Sequence, residues 1–163
     1  MEAITVKALA QRKLKYSWPT RLVAREGDLI VLYGDWGRPL RYASGDVTPV
    51  TNRSLEFYWL KKPYAIAAIF DKDWELREYY GRVIEPPKLS GGELELAMLG
   101  YDLQINSDYD YEIVELEQGG SEGEAERGLI ELIELIERRE GPFDREFLGG
   151  HLTQVRRVLP VEP

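Results

Sequence analysis

From the N-terminus to about Gln118, apolar and polar positions alternate in short runs separated by turn residues. The runs are AITVKAL, RKLKYSW, TRLVARE, DLIVLYG, RPLRYAS, LEFYWL, YAIAAIF, LREYYGRVIE, LELAMLGYDLQI and YEIVELE, and their period of two predicts strands. Between them EGD, GDWG, SGD, FDKDW and PPKLSGG supply the Gly, Asp and Pro that tight turns require. No helical period interrupts the series, which predicts an all-β sandwich or barrel. YAIAAIF is apolar on both sides, so it belongs at the centre of the sheet. After the polar joint QGGSEGEAE the period changes. RGLIELIELIERRE places Leu129, Leu132, Ile133 and Ile136 on one helical stripe, broadened by Ile130 and Leu135. EGPFDREF ends that helix and starts a second, with Asp144 as N-cap and Phe147, Leu148, Leu152, Val155 and Val158 along it; Gly149 and Gly150 weaken it. The expected architecture is a mainly β barrel over 1–118, with a helical segment over 119–163 packed on it as one domain.

Composition narrows the chemistry. A chain of 163 residues is long enough for one real core. With no cysteine, disulfides, thiolate zinc sites and a thiol nucleophile are excluded, and a single histidine, His151, excludes a site built on several imidazoles and is expected on the surface. Any metal must therefore sit on oxygen. No run approaches the ~18 to 20 apolar residues of a membrane span, and the start MEAITVKALAQ lacks a signal layout, so a soluble, cytoplasmic protein without a membrane partner is expected. The net charge of -8 opposes nonspecific binding to nucleic acid, although the segment through Arg25 is locally basic. High charge with two Met and no Cys resembles a thermophile's composition.

The hairpin GYDLQINSDYDYEIVELE poses the chemical question. Pairing that keeps Leu103 and Leu116 on one face brings Asp102, Gln104, Glu115 and Glu117 onto the other. That face is either an oxygen-ligand metal site or a solvated surface.

In order and spacing, KLKYSW, YAIAAIF followed by LREYYGRVIEPP, the GYDLQI…YEIVELE hairpin and EGPFDREF resemble the FomD-like family, which includes bacterial nucleoside tri- and diphosphate phosphatases. The resemblance implies an asymmetric antiparallel β-barrel with two C-terminal α-helices and a pocket where divalent cations bridge nucleotide phosphates. Residue by residue, the ligand set is eroded. The family's Asn position falls on Arg82, which has donors only, and the three Asp positions fall on Gly100, Asp102 and Gln104. The closing Asp-Glu pair falls on Glu117 and Gln118, with Glu115 preceding. The basic position before Trp18 falls at Lys15 and Tyr16. The implied metal ligands are therefore Asp102, Gln104, Glu115 and Glu117, holding at most one Mg²⁺ or Mn²⁺, or none. Arg82 is expected to pair with Asp102 or Glu117, or to grip a phosphate.

Two readings follow for the pocket. One is a phosphohydrolase of nucleoside di- or triphosphates or nucleotidyl esters, with Lys15 and Tyr16 as catalytic residues, and Lys15, Trp18, Tyr80 and Arg82 binding substrate. The other is a non-catalytic module holding a nucleotide or an RNA end. A third, an interaction protein docking through the apolar helix stripe, predicts no nucleotide effect. Oligomeric state is left open, and Asp71, Asp73, Asp108 and Asp110 are available to replace lost ligands from loops.

Overall fold

The computed structural model describes residues 2–116 and 122–159. In chain order the elements are β1 (Ala3–Ala10), β2 (Lys13–Glu26), β3 (Leu29–Gly34), β4 (Arg38–Tyr42), β5 (Val47–Val50), β6 (Arg53–Trp59), β7 (Tyr64–Phe70), β8 (Leu76–Ile84), β9 (Lys88–Ser90), β10 (Glu93–Asn106), β11 (Tyr111–Glu115), α1 (Glu122–Arg138) and α2 (Arg145–Val158). Seven strands close a barrel in the order β1-β10-β8-β7-β6-β3-β2 and back to β1. Only the β1–β10 pairing in this ring is parallel. The β4–β5 hairpin hangs from β2, while β9 and β11 add to β10.

The two runs RKLKYSW and TRLVARE form one strand, because β1 pairs with β2 on both sides of Pro19 and tolerates the single missing donor there. The short strands β5 and β9 had no sequence signal of their own. As its pattern demands, β7 lies between β6 and β8 and is buried on both faces.

Alternation along the strands creates two cores. Inside the barrel lie Val6, Ile30, Leu32, Ile84, Leu94 and Leu96. On its outer wall Val31, Phe57, Ile66, Val83 and Leu103 pack beneath the helix residues Leu132, Ile136, Leu148 and Val155. The predicted stripe of α1 is therefore the docking face, except that Ile130 stays 58% exposed. Asp144 caps α2 as expected, its side chain accepting from the Phe147 N–H at 3.1 Å. His151 is buried, contrary to expectation: Nε2 lies 2.9 Å from Glu26 Oε1 and Nδ1 2.9 Å from the Phe147 carbonyl oxygen, tying α2 to β2. Among the described residues no helix is long and apolar enough to cross a membrane.

α1 approaches the barrel at Gly128, where a Cβ would stand 2.6 Å from Val83 Cγ1 and 2.9 Å from the Pro63 carbonyl oxygen. Gly128→Ala would gain about 1 kcal/mol of helix propensity. Overpacking against backbone costs about 1–3 kcal/mol, so steric crowding wins. The variant is expected to melt below the parent in a thermal scan; a higher melting temperature would show that the interface yields freely.

Candidate active site

The candidate chemistry lies inside the barrel because β6, β8 and β10 turn their even-numbered residues inward. On β8 these include Tyr80, Arg82 and Ile84, and on β10 Leu96, Met98 and Asp102. Asp102 faces Arg82 directly across the β8–β10 ladder. Between Met98 and Asp102 the register shifts, and Gly100, with φ +99°, supplies the left-handed residue at that irregularity.

Arg82 grips Asp102 with two donors, Nε to Oδ1 at 3.0 Å and Nη2 to Oδ2 at 3.2 Å. Tyr80 donates its hydroxyl to the same Oδ2. Asp102 is only 4% exposed. The Tyr16 and Tyr80 rings flank the guanidinium, with centroids 5.6 and 5.5 Å from its central carbon. Burial alone would depress the Arg82 pKa, but the oxygens of Tyr16, Asp102 and Tyr80 outweigh it and raise it, so this cation is permanent. Burial, reinforced by the Asp102 hydrogen bond, pushes the Tyr80 phenol up to about 12. Burial likewise raises Tyr16, against the opposing pull of Arg82. At neutral pH both hydroxyls keep their protons and can donate hydrogen bonds.

A second polar cluster faces the first. Glu56, 3% exposed, accepts from Trp18 Nε1 at 3.0 and 3.2 Å, from Ser54 Oγ at 2.7 Å and from the Tyr58 hydroxyl at 2.6 Å. Burial and then the Glu56 charge hold the Tyr58 phenol well above its ordinary range. Tyr16 and Trp18 stack with centroids 5.9 Å apart. Together the clusters bound a cavity of about 190 Å³, with Ala65, Ala67 and Leu96 among its apolar surfaces and Arg38 on its wall. That is below the ~300–1,000 Å³ of sites enclosing a drug-sized ligand, so the cavity suits one moiety, with the remainder at the mouth.

Five residues singled out from sequence converge here: Tyr16, Trp18, Tyr80, Arg82 and Asp102. Lys15 does not. It is the residue skipped where β1–β2 pairing jumps from Leu9–Leu14 to Ala8–Tyr16, and it is exposed, outside the cavity lining. Gln104 is exposed and borders a separate surface groove with Glu78 and Asp110. Glu115 pairs with Tyr101 while Asp102 pairs with Val114, so Glu115 lies on the opposite face from Asp102. The cause is the loop: Asn106 Oδ1 accepts from the N–H groups of Asp108 and Asp110, and Tyr109 takes φ +67°. Closing on Ile105–Tyr111, this loop sets a register one residue away from the expected one, which reverses every side chain of β11. Glu117 and Gln118 lie outside the described residues. Among the loop aspartates, Asp71 caps its own turn through the Asp73 and Glu75 N–H groups. Among the described residues no three His, Cys, Asp or Glu side chains gather as a metal site would require.

Sequence reasoning missed Glu56, Ser54 and Arg38. A signal existed for the first two, since RSLEFYW alternates Ser54, Glu56 and Tyr58 against Leu55, Phe57 and Trp59. A glutamate on the polar side of a strand with no free face is an interior carboxylate. Arg38, just after a GDWG turn, had none.

Neither a protein-family model nor a curated protein matches the chain. Solved structures do share its fold. The complex of FomD with CDP superposes with a TM-score of 0.71 at 17% identity, covering 98% of this chain and 92% of that one. The phosphatase SC4828 with the non-hydrolyzable nucleotide GPCP superposes at 0.61 and 12% identity, covering 96% and 82%. The chain thus shares the barrel-and-helix fold of these two proteins.

Proposed function

We propose that this chain binds a nucleotide in the barrel cavity without a divalent cation and without metal-assisted hydrolysis. The observation that carries the reading is the Arg82–Asp102 pair. A hard cation needs free, convergent oxygens, and the carboxylate best placed to provide them has both oxygens engaged by Arg82 and Tyr80. A guanidinium thus supplies fixed positive charge beside Asp102, and the residues described there do not fit a metal. The Tyr16–Trp18 stack offers an aromatic wall to a base, and the surrounding hydroxyls offer hydrogen bonds. Superposition on proteins solved with CDP and GPCP supports a nucleotide as ligand class.

A second reading, a weak metal-dependent phosphohydrolase, has the phosphatase SC4828 in its favour. It requires Arg82 to release Asp102. Thermal-shift and calorimetric titrations with CDP, GDP and nucleoside triphosphates, in EDTA and then in Mn²⁺, separate the two. Binding is expected in EDTA, with phosphate release in Mn²⁺ equal to the protein-free blank. Mn²⁺-dependent release that disappears in Asp102→Asn would establish the hydrolase instead.

A further inference from the structure

The charges around the cavity cancel. Arg38 and Arg82 are the cations of its lining, Glu56 lies on the same lining, and Asp102 stands behind Arg82. Arg82 grips both oxygens of Asp102. Glu56 accepts only from the neutral donors Trp18, Ser54 and Tyr58, so its charge is left to balance Arg38. Arg38 in turn donates to the carbonyls of Asp35 and Asn52 and to Asn52 Oδ1, which fastens it to the turns on either side of the β4–β5 hairpin. A phosphate entering this space would bring negative charge with no cation left to match it, and an unmatched buried charge is costly. An uncharged ring carries no such penalty.

The walls suit a flat ring. Trp18 Nε1 donates to both Glu56 oxygens, at 3.0 and 3.2 Å, which pins the plane of the indole on β2. The buried Glu56 carboxylate thus fixes an aromatic platform. In the closed barrel β7 stands across from β2, with β3 and β6 between them on one side and β1, β10 and β8 on the other. There β7 presents Ala65 and Ala67, the smallest side chains of the lining, so a slot of about 190 Å³ stays open opposite the indole.

Resting on the binding reading above, we infer that the cavity is a base slot: the nucleobase lies between Trp18 and Ala67, held by stacking, and the phosphates stay outside the barrel in water. Recognition therefore falls on the base and is indifferent to the number of phosphates. Ala67 sets the width of the slot.

Calorimetry in EDTA with cytidine, CDP, guanosine, GDP and inorganic pyrophosphate tests this. Within each pair that binds, nucleoside and diphosphate are expected to agree within about threefold, and pyrophosphate is expected not to bind. Trp18→Leu is expected to weaken both members of a pair alike, by about five- to hundredfold, the range of one base stacked on an aromatic ring. That variant also takes a donor from Glu56, so a second one guards the result. Ala67→Leu leaves every hydrogen bond of the cavity in place, fills the slot from β7, and is expected to abolish binding while its melting temperature holds or rises. In the intact protein the Trp18 indole N–H resonance is expected to shift on adding the nucleoside that binds. A diphosphate more than about threefold tighter than its nucleoside, competition by pyrophosphate, undiminished binding in Ala67→Leu, or a static Trp18 resonance at saturation would overturn the slot yet leave the nucleotide pocket standing. A parent that binds none of the four nucleosides and nucleotides would overturn the pocket reading itself.

Discussion

Arg82→Met is expected to cost about 3–5 kcal/mol of stability, read as a lower urea midpoint, because it strands Asp102 as an unpaired carboxylate inside the barrel. Asp102 is 4% exposed, and Tyr80 alone would remain to hydrogen-bond it. The double variant Arg82→Met with Asp102→Leu is expected to recover most of that loss. Two buried charges must both be desolvated, and apolar replacements of similar volume avoid this. The resulting double-mutant cycle isolates a strong coupling across the β8–β10 ladder. A single-variant cost near zero would mean that water reaches Asp102, and the case for a permanently locked pair would fail. If the pair is as tight as its geometry, the double variant should also bind CDP through the remaining cavity groups.

The protein is expected to unfold cooperatively as pH rises from 10 towards 12. Burial, as the leading cause, pushes Tyr33, Tyr64 and Tyr80 each up to about 12, and also raises Tyr16, Tyr58 and Tyr79. A phenol in the unfolded chain titrates near 10. Below that value both states keep the proton and the folded protein has its full stability. Above it the unfolded chain sheds phenolic protons that the fold retains, so stability falls until the folded pKa is passed. Six of the ten tyrosines act in the same direction, which makes the loss steep. Tyrosinate absorbance and circular dichroism followed together should change in one step. Gradual titration near pH 10 with the sheet signal intact would show these hydroxyls to be open to solvent.

Much of the fold was legible because the residues that specify it act over a few positions. YAIAAIF could only be a doubly buried strand, Asp144 only a cap, and the Leu132–Ile136 stripe only a docking face. The pairing of Arg82 with Asp102 was likewise among the alternatives that paired strands allow. What escaped were matters of parity and of distance along the chain. Asn106 and Tyr109 set the hairpin one residue from the register that the Leu103 and Leu116 pattern suggested, which sent Glu115 to the wrong face for a ligand. The β1–β2 irregularity turned Lys15 outward, and Tyr16 entered the cavity. Neither loop geometry nor a skipped pair leaves a mark in hydrophobic periodicity.

The sequence by itself determined most of the strands, the two helices, and the exclusion of thiolate and multi-histidine sites, since all of these follow from residue type and short-range spacing. Closure of the barrel decided the rest. It joined Arg38, Glu56 and Arg82 from three strands around one cavity, and it set Asp102 against Arg82. Charge compensation depends on approach in space between residues far apart in the chain, and only the tertiary structure sets that approach.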